Sequence, residues 1–392
     1  MRNNKICMVA YAEYFNDARI KGYINSLICA GYNVDLFCLY DNYSFENAHI
    51  KKHLRIFFIK KKYQGNSKLL YLLNYVVFFI KCFFLVSIKY FKQKYSVFHI
   101  HNQPDFLIFI PIIPKLLGSK IILDLHDIMI AGVLSKFNDN KKSLIYKLTK
   151  FQTKLSIMFC DALIFADHSQ RDFLRDENID HKDSHVFLNL PDETFFKKSN
   201  KSHSINTKFK LVFHGTLAER LGIDLVIKAV EKTSNYFDVS FTIIGGGDFK
   251  EHLINYCILK QILNRIIYFK PFIPVEYLQN ELEKYDIGVI GNRRAIISEK
   301  CMLPVKLMEY LYIGLPVIAP RLEVIQRYFS EDMIEYFDPE NVEDLSKKII
   351  KLIQNPKRRE ELVNKSTHFF EKYNWSNQSR EYLDLINYLS NN

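Results

Sequence analysis

Residues 301–320 read CMLPVKLMEYLYIGLPVIAP, and the class of fold can be read outward from them. A proline is best tolerated in the first turn of a helix, where its missing N–H would lack a partner anyway, so Pro304 predicts a helix start. Lys306, Glu309, Tyr310 and Ile313 fall at i, i+3, i+4 and i+7 and share one face of that helix. Leu307, Met308 and Leu311 form a neighbouring apolar face. Gly314 suits the left-handed residue that closes a helix, and Pro316 prevents continuation. Val317, Ile318 and Ala319 then make the short apolar run of a strand buried on both faces.

The start of this helix also carries chemistry. Its first N–H groups have no intrahelical acceptors and bear partial positive charge, which favours a phosphate. Glu309 lies about 7–8 Å beyond Pro304 at the helical rise per residue. A carboxylate there can accept hydrogen bonds from sugar hydroxyls beyond a bound diphosphate.

Composition bounds the rest. The chain has 392 residues, 48% hydrophobic and 25% charged, which is globular composition at a length suited to two domains. A net charge of +11 and a pI near 9.0 favour anionic partners. The lysines are spread out and no nucleic-acid reading module occurs, so no nucleic-acid partner is expected. The seven cysteines include no C-x-x-C pair, which argues against a disulfide framework and for a reducing cytoplasm. Ile6–Ala10 is too short for a signal-peptide core and reads as a first strand.

Residues 69–91, LLYLLNYVVFFIKCFFLVSIKYF, hold only Lys81 and Lys89 as charges. A central lysine in a membrane span costs about 2.5–3.5 kcal/mol, so a buried or half-buried helix is the default expectation. The alternative is a helix lying on an anionic membrane surface, because lysines at 51, 52, 60, 61, 62, 68, 89, 92 and 94 flank it.

Taken in order, 5–11 reads as a strand, 18–30 as a helix closed by Gly31, and 34–39 as a strand, which is a βαβ start. Strand 96–101 ends in His101-Asn102, a helix is predicted over 105–117, and strand 120–125 runs into His126-Asp127. A polar pair at the carboxyl end of an apolar strand is where open parallel sheets bind ligands. Strands follow at 161–166 and 186–192, and Asp167-His168-Ser169 caps a helix. The polar stretch 197–208 reads as a linker between domains at 1–196 and 209–372, with 373–392 a closing helix. The second domain opens with strand 210–215 into Gly215 and a helix over 223–232. A strand ends in Gly245-Gly246-Gly247; this is not a dinucleotide fingerprint, so no nicotinamide cofactor is inferred. Further strands run 266–272 and 285–290, and helices are predicted over 341–354, 356–371 and 376–390.

P-x-K-x-x-E-Y followed by G-x-P-V-I-A resembles the signature of glycosyltransferase family 4, retaining enzymes of the GT-B fold. The His126-Asp127 turn, the Asn189-x-x-Asp192 segment, the Gly215-Thr216-Leu217 loop and the triple-glycine turn are similar to family motifs in the same order. The resemblance implies two Rossmann-like domains with parallel sheets facing a central cleft. It implies that Pro304, Val305 and Lys306 carry the donor diphosphate and that Glu309 binds the ribose. It places His126 near the donor sugar, Asp127 as a holder of that loop, and Phe272 beside the base. The last helix is expected to cross back to the first domain.

Two departures stand out against that pattern. Thr216 and Leu221 replace the family's Arg and Lys after the first strand of the second domain, so Gly215, Thr216 and Arg220 are the donor-loop candidates. Cys301 stands where the first Glu of E-x7-E belongs, and Glu299 is two residues further back. Glu299 is therefore a candidate for reaching the sugar through a shifted loop, and Arg293 and Arg294 are phosphate candidates in the same segment. Arginine is a strong bidentate phosphate partner.

The implied reaction is transfer of a sugar from a nucleotide-diphosphate donor, with UDP the family's commonest, to a saccharide acceptor with retention of configuration. The chain holds no D-x-D metal clamp, so no metal or cofactor is expected, and the donor is a substrate. The acceptor implied is a lipid-linked saccharide of bacterial surface polysaccharide, met in the cytoplasm at the inner membrane face. The alternatives are a non-catalytic GT-B subunit binding a nucleotide or a partner enzyme, and a nucleotide-sugar epimerase on the same fold.

Overall fold

The computed structural model describes residues 4–40, 52–63, 65, 67–137, 139–193, 195–198 and 208–391. The chain divides into two compact units, Met1–Leu188 with Ser376–Asn392, and Asn189–Trp375. The division at Leu188/Asn189 falls before the polar stretch 197–208, most of which lies outside the described residues.

The first unit is built on seven parallel strands: β1 Lys5–Glu13, β2 Asn33–Tyr40, β3 Leu54–Lys61, β4 Val97–His101, β5 Lys120–Leu125, β6 Ala162–Phe165 and β7 Ser184–Val186. Their order is β3-β2-β1-β4-β5-β6-β7. Ile6 to Ala10 of β1 and Ile121 to Leu123 of β5 are buried, as a sheet covered on both faces requires. The connecting helices are α1 Ala18–Cys29, α2 Lys68–Lys92, α3 Ile112–Leu116, α4 Met129–Lys136, α5 Leu144–Phe159 and α6 His168–Asp176. Asp17 caps α1 by accepting from the Ile20 amide, and Asp167 caps α6 through the Gln170 amide.

The second unit carries six parallel strands: β8 Phe209–Thr216, β9 Val239–Gly246, β10 Ile267–Lys270, β11 Ile287–Val289, β12 Val317–Pro320 and β13 Glu335–Phe337. Their order is β10-β9-β8-β11-β12-β13. Its helices are α7 Ile223–Thr233, α8 Lys250–Leu259, α9 Val275–Leu282, α10 Ile296–Lys300, α11 Val305–Tyr312, α12 Glu323–Gln326, α13 Val342–Gln354 and α14 Pro356–Lys372. The last helix, α15 Trp375–Asn391, belongs to the first unit from Ser376 on. There Gln378 bonds both backbone groups of Leu188, and the Tyr382 hydroxyl sits 2.9 Å from His99 Nδ1.

In each sheet the order reverses direction once, between β1 and β4 and between β8 and β11. A doubly wound sheet binds ligands in the crevice outside its strand carboxyl ends at such a switch point. Both candidate groups of residues lie there.

Several expectations are corrected. The helix predicted over 105–117 is a 3-10 turn, Asp105–Phe109, and the short α3, because Pro111 and Pro114 interrupt the hydrogen-bond ladder. The strand predicted over 186–192 is only Ser184–Val186. Helices α4, α5, α8 to α10 and α12 and strands β3 and β13 were not anticipated: most are short, and the apolar repeat of α5 lies on its exposed side, where it marks no core face.

Candidate functional site

In the second unit the site begins at α11. Pro304 is the N-cap, one residue before the predicted position, and no side chain caps the helix start. Val305 in the first turn is exposed, so this amide-rich end faces outward. At the other end Gly314 is left-handed (φ +76°), and the Leu315 amide reaches back to Tyr310 O at 2.9 Å, as a glycine-closed helix does.

Glu309 and Tyr310 point from α11 toward the end of β8. The His214 amide donates to the Tyr310 hydroxyl at 3.0 Å, and His214 Nδ1 lies 2.9 Å from the same oxygen. His214 Nε2 lies 2.6 Å from Glu309 Oε2. One tautomer satisfies all of these bonds: the Tyr310 hydroxyl donates to Nδ1 while Nε2–H donates to Glu309. Glu309 is buried, and its Oε1 carries no hydrogen bond among the described residues. The carboxylate is thus oriented through one oxygen and available through the other.

Lys306 lies half-buried across the end of β8. Its Nζ is 4.1 Å from the centroid of the Phe213 ring, and a Cβ on Gly215 would come within 3.4 Å of its Cε. Burial pushes the Lys306 ammonium down to about 7; Glu309 opposes this and Arg220 adds to it. Arg220 is exposed and makes no ion pair among the described residues. Thr216, also exposed, ends the strand beside Gly215. Phe272 is exposed on the loop after β10.

Two glycines let these loops approach one another. Gly245 has φ +134°, and a Cβ there would fall 2.1 Å from Gly215 O. Gly222 has φ +61°, and a Cβ would fall 2.0 Å from Gly291 O. Gly222→Ala is expected to cost about 1–2 kcal/mol for the left-handed backbone alone, with the backbone clash adding to it. Urea unfolding of the variant against wild type measures the loss.

Three predicted residues are drawn elsewhere. Arg293 is not free for phosphate: its guanidinium pairs with both oxygens of Asp224, at 2.8 and 2.7 Å, and its Nε donates to Glu219 O. It braces the loop bearing Arg220, whose carbonyl also accepts the Arg293 amide at 2.9 Å. Arg294 pairs with Glu299 at 3.2 Å, and Glu299 Oε1 accepts the Glu323 amide at the start of α12. Those bonds hold Glu299 to α12, so it is not joined to Lys306 or Glu309. Cys301, where the family has its first Glu, is fully buried. Asn292, just past β11, is also buried, and neither atom of its amide has a partner among the described residues. A buried amide left so is completed by water or ligand.

In the first unit the group centres on Asp124 of β5. Arg19 of α1 donates to both carboxylate oxygens, at 2.9 and 2.7 Å, and to Phe187 O at 2.7 Å. His101 Nδ1, His126 Nε2 and His99 Nε2 lie 3.2, 3.3 and 3.7 Å from Asp124 Oδ2. Burial opposes the charge on Asp124, but Arg19 and His126 hold its carboxyl well below the usual carboxylate range. Burial likewise disfavours a charged His126, yet Asp124 carries its imidazole above the ordinary value. His99 and His101 are pushed down by burial. His126 keeps 22% of its side chain exposed, whereas Asp124, His99 and His101 are enclosed. His99, His101 and Asp124 are close enough to share a metal ion. The bidentate Arg19 cation already occupies that carboxylate, so the donor set fits an ion pair better than a metal.

The turn after β5 is held by Asn102. Its Oδ1 accepts the His126 amide at 2.7 Å, and its Nδ2 donates to Asp127 O at 2.7 Å and to Asp105 at 2.9 Å. Asp127 is thus fixed through its backbone. Arg19 is buried in its pairing with Asp124. Sequence reasoning did not find the partnership of His214 with Glu309, because 95 residues separate them and a single histidine before a glycine has no diagnostic spacing.

Comparison with known proteins now bears on these two groups. Residues 195–369 match the family described as glycosyl transferases group 1. Over the whole length the chain superposes on sucrose-phosphate synthase from Thermosynechococcus elongatus with a TM-score of 0.78 at 13% identity, covering 98% of each chain. It superposes on Anabaena HepE, solved with UDP and glucose, with a TM-score of 0.73 at 12% identity, covering 98% of this chain and 99% of that one. The chain has the GT-B fold. An uncharacterised glycosyltransferase of Methanocaldococcus jannaschii is 21% identical over 177 residues, 45% of this chain. That alignment spans 44% of the relative's length. The family match takes in α11, His214 and the glycine loops, and leaves the Asp124 group outside it.

Proposed function

We propose that this GT-B chain is a glycosyltransferase that moves a sugar from a nucleotide-diphosphate donor to a saccharide acceptor. The observation that carries the reading is the uncapped start of α11 beside Lys306, with the carboxylate of Glu309 oriented by His214. Phosphate oxygens fit the free amides, Lys306 and the exposed Arg220, and a ribose diol fits Glu309 Oε1. These groups would stabilise negative charge on the leaving diphosphate without reorganising as the glycosidic bond breaks. That supports a metal-independent reaction. Gly215 and Thr216 would line the phosphates, Phe272 the base, and His126 the transferred sugar. UDP is the donor base of this reading, supported by the neighbour solved with UDP and glucose. Retention of configuration, a hexosyl group and a lipid-linked acceptor for surface polysaccharide at the cytoplasmic membrane face follow from the family resemblance and from the apolar, lysine-flanked α2.

A second reading has one observation in its favour. Glu299 is bonded to Arg294 and the Glu323 amide, and Cys301 is apolar, so no carboxylate precedes Glu309 in the familiar way. A non-catalytic nucleotide-binding subunit would tolerate this.

Thermal unfolding with UDP, GDP, ADP and CMP separates the readings. A nucleotide at a hundred times its dissociation constant stabilises by about 2.7 kcal/mol. In Glu309→Gln the amide oxygen still accepts from His214 while the charge is gone, so fold is retained and affinity is expected to fall about 10–100-fold. Binding with donor turnover supports the transferase; binding without turnover across donors supports the subunit; no binding by any nucleotide rejects both.

A further inference from the structure

The first unit carries a broad apolar surface that its own core does not use. Helix α5 places Leu144, Leu148, Phe151, Leu155 and Met158 at spacings of four and three on one side, and all five are exposed, Phe151 at 62% and Met158 at 69%. Its opposite side buries Tyr146, Thr153, Ser156 and Ile157. Helix α2 repeats the arrangement: Phe78, Cys82, Val86 and Tyr90 are buried, while Leu73, Val77, Ile80, Phe84, Ile88 and Phe91 are exposed. Exposed apolar stripes on adjoining elements of a folded unit mark an interaction surface.

The two stripes belong to one surface. The Phe79 ring of α2 lies 5.7 Å from Phe106, and Phe109 of the same 3-10 turn lies 5.0 Å from Phe159 at the end of α5. Lys115 of α3 sits over Phe159, one residue before the 81% exposed Leu116. Charge decides what covers this face. Helices α2 to α5 hold nine lysines, four in α2, one each in α3 and α4 and three in α5, and no aspartate or glutamate; Lys115 and Lys150 pair with Asp161 and Glu177 outside these helices. Lys81, Lys147 and Lys154 are exposed among the apolar side chains.

We infer that helices α2, α3 and α5 together form a docking platform for an anionic lipid bilayer, with the apolar stripes in the acyl boundary and the lysines at the headgroups. A symmetric pairing of two copies through this face would bring two surfaces bearing Lys81, Lys147 and Lys154 together, and α2, α3 and α5 themselves supply no carboxylate to offset them. A membrane-crossing α2 would have to pull Phe78, Cys82, Val86 and Tyr90 out of the core. An anionic bilayer needs neither, because it supplies apolar depth and negative charge together. The inference deepens the proposed function by naming its membrane partner, but it rests on this surface and stands without the donor site.

The test is co-sedimentation of the full chain with vesicles of equal parts phosphatidylglycerol and phosphatidylcholine, against phosphatidylcholine alone. Wild type is expected to bind the anionic vesicles at least about tenfold better, with affinity falling as salt rises. The double variant Phe151→Glu with Met158→Glu changes exposed residues only, and is expected to lose about tenfold or more in vesicle binding. Its nucleotide-induced thermal shift should equal that of wild type, which reports an intact donor unit. No preference for anionic vesicles, or full binding by the double variant, overturns the platform. So does a dimer, seen by light scattering, that the double variant dissolves. Vesicle binding without any nucleotide shift leaves the platform standing and rejects the donor reading.

Discussion

In Asp124→Ala the first unit is expected to melt roughly 6–20 °C below wild type. Both members of the Arg19–Asp124 pair are enclosed, at 6% and 0% side-chain exposure. Removing one partner leaves the Arg19 cation buried without its counter-charge, which costs about 3–5 kcal/mol. At about 2–4 °C per kcal/mol for a unit of this size, that gives the stated range. Calorimetry of the variant checks it. The double variant Arg19→Met with Asp124→Leu should recover much of the loss, because two apolar side chains bury no charge. A double variant as unstable as the single one would show that the histidines need the carboxylate more than Arg19 does.

The same pair sets an acid limit. The Asp124 carboxyl is held below its unfolded value, so its stabilisation is present above the unfolded pKa of about 4 and is lost as pH falls through the folded pKa. The first unit should therefore lose stability below about pH 4, and the double variant should lose less there.

The second large effect concerns nucleotide affinity. Lys306 sits near 7 because burial disfavours its ammonium. A bound diphosphate would favour the ammonium and move its pKa back up, so binding above pH 7 takes up a proton. The association constant should then fall by up to about tenfold per pH unit above 7, until the bound-state pKa is reached. Over two units that is about a hundredfold. Lys306→Met should bind more weakly at pH 7 and lose this slope. Calorimetric titration with UDP at three pH values, in buffers of differing ionisation enthalpy, reads both the affinity and the proton uptake. A flat wild-type profile with no proton uptake would remove Lys306 from the phosphate site.

Much of the architecture was legible before any coordinates. Proline, glycine and apolar runs act locally, so the α11 start at 304–305, the left-handed Gly314 and the buried β12 follow from neighbours within a turn or two. The βαβ opening and the helices 342–354 and 356–372 were found for the same reason. The stretch 105–117 does not run as one helix because Pro111 and Pro114 each remove an amide from the hydrogen-bond ladder. The pairing of Arg293 with Asp224 was not legible, because 69 residues separate the two.

The sequence by itself determined two parallel α/β units, the α11 start, and Lys306 and Glu309 on one helical face. These depend on backbone conformation and helical period, which short stretches encode. Tertiary structure alone decided which charges are spent and which are available. It closed Arg19 onto Asp124, Arg293 onto Asp224 and Glu299 onto the Glu323 amide, and it turned His214 to Glu309. Ion pairs and hydrogen bonds act over a few ångströms, and only packing sets which distant residues come that near.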